Sequence, residues 1–188
     1  MARRRRRSSG GGFLKELFGW ILYILIIIGL TYLIITYVGQ RTRVSGSSME
    51  TTLSDGDNLI VDKLSYRFKD PERYDIIVFP YQYEENTYYI KRIIGMPGET
   101  IQINDGHVYI NGEFLETEIY GAEVMNSPGI AAEPIVLGED EYFVLGDNRN
   151  HSSDSRDPSV GVLTRDNLIG KAWVRIYPFD EMGVITHE

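Results

Sequence analysis

The longest stretch of apolar positions in this chain lies near its N-terminus. From Leu17 to Val38 the sequence runs for 22 residues without a charged side chain and is rich in Ile, Leu and Tyr. The hydrocarbon core of a bilayer needs roughly 20 such residues in an α-helix. The pattern therefore predicts a single transmembrane helix over residues 15–38.

The flanks of this run predict its orientation. Five consecutive arginines, Arg3 to Arg7, precede it, and Arg41 and Arg43 follow it. The more basic flank of a membrane span stays in the cytoplasm, and five arginines before the span outweigh two after it. We therefore expect residues 1–14 to form a cytoplasmic basic tail and residues 39–188 to form one extracytoplasmic domain. A cleavable export signal, including the twin-arginine type, is the alternative. It is disfavoured because its apolar core has about 7–15 residues and ends in a small-residue site, which residues 36–40 lack.

Beyond the span, apolar β-branched residues recur in short runs separated by turn residues. Asn104-Asp105-Gly106 and Asn111-Gly112 are strong hairpin signals, and no stretch keeps the helical period over ten or more residues. The predicted fold class is mostly β: one all-β domain behind a single membrane span, with a polar excursion around residues 120–133. The predicted strands are Asn58–Asp62, Asp75–Phe79, Thr87–Ile94, Glu99–Ile103, His107–Ile110, Tyr142–Leu145 and Ile169–Ile176.

Charge and composition exclude several classes of function. Residues 41–188 carry 13 basic and 26 acidic side chains. Such a domain is a poor partner for nucleic acid, because phosphate contacts need Lys and Arg. The chain has no cysteine, which removes disulfides, a cysteine nucleophile and thiolate metal sites. His107, His151 and His187 are scattered without metal-ligand spacing, so we predict no metal site.

Ser48 and Lys91 form a candidate catalytic pair. A serine hydroxyl is a weak nucleophile that needs a neighbouring base. A lysine amine serves as that base only when burial lowers its pKa from the usual value of about 10.4. Lys91 lies in an apolar strand pattern, where it shares a face with Tyr89 and Ile93 while Arg92 points the other way. One of the two basic residues is thus predicted to be buried and the other to be solvated or paired.

Other interpretations of these residues remain open at this point. Lys91 and Arg92 could both be charges at a sheet edge, where they discourage aggregation. Ser48 lies in a Gly/Ser loop whose backbone N–H groups could face an oxyanion, and Ser47 in the same loop is the rival nucleophile. His151 is the rival base, although no matching acid-and-serine framework surrounds it.

Three motifs, in this order, resemble those of the type I signal peptidases. That family shows a serine box of the form G-x-S-M-x-P-T-L, a strand box Y-x-K-R followed by G-x-P-G-D, and a box G-D-N-R-x-x-S-x-D-S-R. The corresponding segments here are Gly46–Leu53, Tyr89–Glu99 and Gly146–Arg156, and Gly56-Asp57 matches an intervening box. The resemblance spans residues 44 to 176, and the length and single span are similar to the shorter enzymes of Gram-positive bacteria.

The resemblance implies a role for each matched residue. Ser48 would be the nucleophile, with its backbone N–H facing the oxyanion, and Lys91 would be the general base. The supporting residues that it implies are Ser152, which would orient the lysine, Asp154 and Arg156, which would form an ion pair beneath the site, and Asp147 and Arg92.

The chain departs from the family motifs at a few positions. Thr51 replaces the usual proline, which removes a fixed φ from the serine loop. Gly46 stands where some relatives carry a serine that helps to bind the oxyanion, so the Ser48 N–H would need help from a water or a nearby amide. Asn150 and His151 replace the commoner Asp-Asn pair.

The function that the resemblance implies is a membrane-bound serine endopeptidase that cleaves signal peptides from exported preproteins through an acyl-enzyme. It implies no cofactor. The implied partners are signal-peptide-bearing preproteins, the lipid bilayer and a nearby export translocon, and the implied location is the extracytoplasmic face of the cell membrane. One alternative is a membrane-tethered β-domain that binds partners without chemistry. The other is a self-cleaving repressor with Ser-Lys chemistry, a group that is soluble and carries a DNA-binding segment, unlike this chain.

Overall fold

The computed structural model describes residues 10–116, 120–121 and 123–186. Contacts within the chain divide it into two compact units, residues 1–38 and residues 39–188. Arg3 to Arg7 and His187 lie outside the described residues, so most of the predicted basic tail does too.

The first unit contains one helix. α1 spans Gly10–Leu33 and continues as a π-helical turn over Ile34–Val38. Residues Lys15–Val38 are long and apolar enough to cross a membrane, judged by length and composition. Large apolar side chains such as Phe18 and Trp20 are exposed along it. An apolar helix whose described side chains lack protein cover fits a membrane anchor.

The second unit is a mostly β domain. Its strands are β1 Gly39–Arg43, β2 Asn58–Asp62, β3 Ile76–Pro80, β4 Tyr88–Gly95, β5 Thr100–Asn104, β6 His107–Ile110, β7 Glu113–Phe114, β8 Ile135–Val136, β9 Glu141–Leu145, β10 Leu163–Thr164, β11 Gly170–Tyr177 and β12 Gly183–Val184. They form two antiparallel sheets. The larger has the order β1-β2-β11-β3-β4-β9-β10, with β12 paired to β11, and the smaller has the order β7-β6-β5-β8.

Two tight turns build the smaller sheet as the sequence predicts. Asp105 and Gly106, between β5 and β6, both have positive φ, at 48° and 76°. Asn111 and Gly112, between β6 and β7, repeat this at 53° and 83°. Positive φ at both central residues is the type I′ geometry, whose twist matches that of the paired strands.

β4 lies at the centre of the larger sheet and carries the functional side chains. It pairs with β3 along Tyr88–Arg92 and with β9 from Arg92 to Gly95. Apolar clusters cover both of its faces, so the last six residues of the strand are all buried. In a strand packed on both faces, consecutive side chains are buried whichever face they point to. The alternation of side-chain direction along β4 therefore does not separate buried from exposed residues.

The predicted fold class is confirmed, and all seven predicted strands are present to within one residue at each end. The sequence pattern missed β1, β7, β8, β10 and β12. β1 was not predicted because Gly39–Arg43 is polar, and the other four strands were not predicted because each is only two residues long. The described part of residues 120–133 contains one short 3₁₀ turn, Gly129–Ala132, and no strand.

Candidate active site

The loop that carries Ser48 follows β1 and is fixed by its apolar residues. Val44, Met49 and Leu53 are buried in the core beside β2 and β11. The amides of Thr52 and Leu53 both donate to the Met49 carbonyl, at 2.8 Å. Because the residue after Ser48 is anchored in the core, the serine is held in place at the surface of the domain.

Lys91 on β4 reaches this serine from inside the domain. Its side chain is buried, and Nζ lies 2.9 Å from Ser48 Oγ and 3.0 Å from the Ile90 carbonyl oxygen. The two residues are 43 positions apart in the chain. The structure therefore brings together the two side chains that the sequence selected as a catalytic pair, within hydrogen-bond distance of each other.

Burial changes the acid–base behaviour of this lysine. Desolvation lowers the pKa of Lys91 from 10.5 to about 8, although the carboxylates of Asp154 and Asp147 act in the opposite direction. Burial penalises the charged amine, and the two carboxylates favour it. A lysine with this pKa exists partly as the free amine near neutral pH and can accept a proton.

Arg92 is also buried, which corrects part of the sequence interpretation. It is fully shielded and donates from Nε and Nη2 to the two carboxylate oxygens of Asp147, at 2.9 and 2.7 Å. The interpretation of Lys91 and Arg92 as exposed sheet-edge charges is wrong, because both side chains are buried. Of the two predicted outcomes for Arg92, solvated or paired, the structure shows the paired one.

Further contacts hold the Arg92–Asp147 pair. Thr52 donates its hydroxyl to Asp147 at 2.6 Å, and Arg92 donates to the Tyr74 carbonyl at 2.9 Å. The Arg92 guanidinium stacks 3.5 Å from the centre of the Tyr120 ring. A buried ion pair is tolerated when its remaining donors and acceptors are satisfied. This network ties the serine loop, through Thr52, to β4 and to the segment after β9.

The segment after β9, residues 146–156, packs directly against the serine loop. Asn148 donates its backbone N–H to the Ser48 carbonyl and its side-chain amide to the Ser47 carbonyl, both at 3.1 Å. A Cβ added to Gly146 would lie 2.5 Å from the Ser48 carbonyl oxygen. Only glycine allows this approach. The sequence alone predicted no role for Asn148, Thr52 or Gly146. All three lie inside the quoted motifs, which is the signal that could have found them.

Asp154 and Arg156 fold this segment into a compact loop. Arg156 donates from Nε and Nη2 to the two carboxylate oxygens of Asp154, at 2.8 and 2.9 Å, and both side chains are almost completely buried. Asp154 also accepts the Gly146 amide at 3.0 Å. The pair thus links the end of this segment to its beginning at Gly146, the residue that contacts the Ser48 carbonyl.

Ser152 also lies next to Gly146, but it does not make the predicted hydrogen bond to Lys91. Its Oγ is buried and has no hydrogen-bond partner among the described residues, so the predicted hydrogen bond that would orient Lys91 is not formed. A Cβ added to Gly146 would lie 2.2 Å from this oxygen, so the hydroxyl is pressed against the Gly146 backbone. The role of Ser152 stays a prediction.

Replacing Asp154 with alanine is expected to lower stability and cleavage together. The change leaves Arg156 buried without its carboxylate and releases the Gly146 amide. Removing one partner of a buried pair typically costs about 3–5 kcal/mol, which thermal or urea unfolding of the two proteins would measure. Asp166→Ala is the matched control, because that carboxylate is exposed. An unchanged melting temperature combined with lost activity would assign Asp154 a direct catalytic role instead.

A cleft of about 280 Å³ opens beside Ser48. Residues from β1 and the serine loop, from β4 and from the 146–156 segment line it, including Ser47, Ile90 and His151. His151 is exposed on its wall, whereas His107 lies on the hairpin of β5 and β6 against Phe114. Among the described residues, no group of three or more His, Asp or Glu side chains could hold a metal ion.

Comparison with known proteins assigns the family. The family model described as signal peptidase, peptidase S26, matches residues 17–177. The chain is 42% identical over 155 residues to a signal peptidase I from Leptolyngbya laminosa, covering 79% of this chain and 73% of that one. It is 34% identical over 178 residues to a signal peptidase I from Bacillus licheniformis, covering 89% and 92%. A crystal structure of a signal peptidase I from Enterococcus faecalis is 36% identical and covers 55% of this chain and 97% of that one, with a TM-score of 0.46.

The chain therefore belongs to the signal peptidases of peptidase family S26.

Proposed function

We propose that this protein is a membrane-bound serine endopeptidase that cleaves N-terminal signal peptides from exported preproteins. The observation that carries the proposal is the 2.9 Å approach of the buried Lys91 amine to Ser48 Oγ, at the edge of an open cleft, in a chain of the signal peptidase family. The relatives named signal peptidase I support the substrate class.

The chemistry follows from the pair. The neutral amine of Lys91 takes the proton from Ser48 Oγ as this oxygen attacks the carbonyl carbon before the scissile bond. The Ser48 backbone N–H stabilises the negative oxygen that forms. Lys91 then gives its proton to the leaving amine of the mature protein, and an ester on Ser48 remains. A water that passes a proton to Lys91 attacks this ester, and Lys91 returns that proton to Ser48 Oγ as the ester bond breaks and the signal peptide leaves.

The sheet offers an edge for an extended substrate. β3 pairs with β4 along Tyr88–Arg92, whereas β9 pairs with β4 only from Arg92 onwards. Tyr88, Tyr89 and Ile90 therefore have one edge that pairs with no described strand, and all three line the cleft. A peptide that added itself along this edge would gain main-chain hydrogen bonds and would carry its carbonyl towards Ser48. The family preference for small residues at the first and third positions before the cut implies two shallow pockets along this edge.

The supporting residues act by holding these groups in place. In this proposal Asp154 with Arg156 fixes the segment that meets Ser48, and Arg92 with Asp147 links it to β4 and to the serine loop. Ser152 is assigned the role of orienting the Lys91 amine, on the basis of its position in the family motif.

The proposed location is the cell membrane, with residues 1–14 in the cytoplasm, one span over 15–38 and the catalytic domain of residues 39–188 outside. The uncharged run from Leu17 to Val38 and the arginines before it support this topology. The bilayer would hold the enzyme where preproteins emerge from an export translocon.

The topology predicts how an external protease cuts the protein. Protease added to spheroplasts or protoplasts should digest residues 41–188 and leave a short membrane fragment, which antibodies against tags at the two termini would detect. An N-terminal tag should survive, and a C-terminal tag should be lost. A C-terminal tag that resists protease until the membrane is opened with detergent would reverse the proposed orientation.

The test of the activity is cleavage of a preprotein. The full-length protein in detergent is incubated with a secretory preprotein, and the new N-terminus is sequenced. We expect a single cut, with small residues at the first and third positions before it. Absence of cleavage, or cuts scattered through the mature region, would contradict the proposed function.

A further inference from the structure

One residue of the 146–156 segment holds both peptide groups that flank the catalytic serine. The Asn148 side-chain amide donates to the Ser47 carbonyl, and the Asn148 backbone N–H donates to the Ser48 carbonyl, each at 3.1 Å. The first carbonyl belongs to the peptide group before the Ser48 Cα, and the second belongs to the peptide group after it. Because each peptide group is planar, the two contacts restrain the backbone of Ser48 on both sides of its Cα.

The side-chain contact also sets the direction of the Ser48 N–H. The Ser47 carbonyl and the Ser48 N–H belong to one trans peptide group, so they point in opposite directions. The carbonyl faces Asn148, which does not line the cleft. The N–H is therefore directed away from Asn148, and it donates to no described residue. This donor is left for a ligand, here the oxyanion.

Contacts within the serine loop restrain this peptide group less firmly. The Glu50 amide donates to the same Ser47 carbonyl at 3.1 Å, but this bond joins two residues of one loop and moves with it. The residues just before, Ser45 and Gly46, are exposed, and Gly46 has a φ of 91°. A glycine with free access to positive φ makes the approach to Ser47 easy to deform.

Asn148, in contrast, belongs to a segment that is fixed in the domain. Its neighbours Asp147 and Arg149 are both buried, and Asp147 is held by the buried guanidinium of Arg92 at 2.7 Å. A hydrogen bond from such a segment transfers its rigidity to the peptide group that accepts it, which is how supporting residues preorganise a catalytic donor. The Asn148 side chain is thus the described side chain that ties the Ser47 carbonyl to the rest of the domain.

We infer that Asn148 is a positioning residue for the oxyanion, because its side-chain amide orients the peptide group whose N–H, that of Ser48, stabilises the negative oxygen. The inference rests on the proposed function, because it names the residue that aligns the oxyanion donor of that same site. Gly46 carries no hydroxyl that could serve as a second donor, so catalysis depends more strongly on the alignment of this one N–H. Asn148 acts through the peptide group that joins Ser47 to Ser48, not on the substrate.

Side-chain variants of Asn148 should lower kcat and leave KM nearly unchanged. The oxyanion forms only as the reaction proceeds, so a misaligned donor slows the chemical step without weakening substrate binding. We expect Asn148→Ala to lose about 10- to 100-fold in kcat, less than the roughly 10²–10³-fold cost of removing such a donor altogether. Asn148→Asp keeps the shape but has no donor for the Ser47 carbonyl, so it should lose at least as much. The acid limb of the pH profile of kcat/KM should not move in Asn148→Ala, because this change removes no titratable group.

Binding of a peptide boronate tests the alignment without any cleavage. Ser48 Oγ adds to the boron atom as its proton passes to Lys91, and the tetrahedral adduct places a boronate oxygen where the oxyanion would form. A carboxamide peptide with the same side chains forms no adduct and reports substrate binding alone. In calorimetry on the full-length protein in detergent, Asn148→Ala should weaken the boronate by about the same factor as it lowers kcat and leave the carboxamide unaffected.

Asn150→Ala is the matched control. Asn150 lies in the same segment, but its side-chain amide donates to the Glu123 carboxylate at 3.0 Å and to the Val124 carbonyl at 3.1 Å. This variant also loses side-chain hydrogen bonds, yet it leaves the contact with Ser47 in place. It should keep the kcat and the boronate affinity of the wild type.

Two kinds of result would overturn the inference. One is a wild-type kcat and boronate affinity in Asn148→Ala or Asn148→Asp. The other is equal weakening of the boronate and the carboxamide in Asn148→Ala, which would indicate a general distortion of the cleft. Failure of the wild-type protein to cleave a preprotein would contradict the proposed function instead, and the boronate comparison would still decide the role of Asn148.

Discussion

Replacement of Ser48 by alanine is expected to abolish preprotein cleavage and leave the fold intact. Ser48 Oγ is the atom that Lys91 Nζ approaches to 2.9 Å at the cleft, and no acyl-enzyme can form without it. Loss of the nucleophile of a serine protease typically costs roughly 10⁴-fold or more in kcat. Circular dichroism and thermal unfolding should match the wild type, because Ser48 is only partly buried and its loop is anchored by Met49 and Leu53.

Ser47→Ala is the matched control for this result. Ser47 lies in the same loop and lines the same cleft, and its structural contact is made by its carbonyl oxygen with Asn148. That contact survives the substitution, so most of the activity should remain. An inactive Ser47 variant beside an active Ser48 variant would show that the nucleophile is wrongly assigned.

Replacement of Lys91 is expected to remove activity whether or not a positive charge is kept. A guanidinium stays protonated at any workable pH, so Lys91→Arg cannot accept the serine proton and should be inactive. Lys91→Ala should be inactive too. Its stability should be retained or raised, because a buried amine is costly to desolvate. Single-turnover cleavage and urea unfolding of the two variants would measure both effects.

His151→Ala separates this mechanism from one with a histidine base. His151 lines the cleft but is exposed and lies on another segment from the serine. The variant should cleave a neutral substrate at a rate far closer to the wild type than either Lys91 variant does. Complete loss of cleavage in His151→Ala, with activity kept in Lys91→Ala, would rule out the Ser-Lys mechanism.

The sequence predicted the strands well where local signals were strong. β2 and β6 match their predicted bounds, and the turns at Asp105-Gly106 and Asn111-Gly112 have the positive φ values that their residues favour. β1 was missed because its side chains are polar and its pairing with β2 is a long-range contact. Two-residue strands such as β8 and β10 exist only because a neighbouring strand supplies their hydrogen bonds, which no local pattern records.

The site shows a similar division. The motifs selected Ser48 and Lys91, which the fold places in contact across 43 residues of sequence. Period-2 alternation separated Lys91 from Arg92 but could not show that both are buried, because that depends on which elements cover each face of β4. The contacts of Arg92 with Tyr74 and Tyr120, and the absence of a partner for Ser152 Oγ among the described residues, are likewise set by tertiary packing.

The pH dependence of kcat/KM tests the central claim most directly, because it reports the protonation state of the catalytic base in the free enzyme. Burial lowers the pKa of Lys91 to about 8, and only the neutral amine can accept the serine proton. Measured on one neutral signal-peptide substrate, kcat/KM should therefore fall about tenfold for each pH unit below this value and level off above it, and the His151→Ala protein should give the same profile. A profile that is flat from pH 6 to 10, or one whose acid limb lies below pH 7 and disappears in His151→Ala, would contradict the assignment of Lys91 as the base.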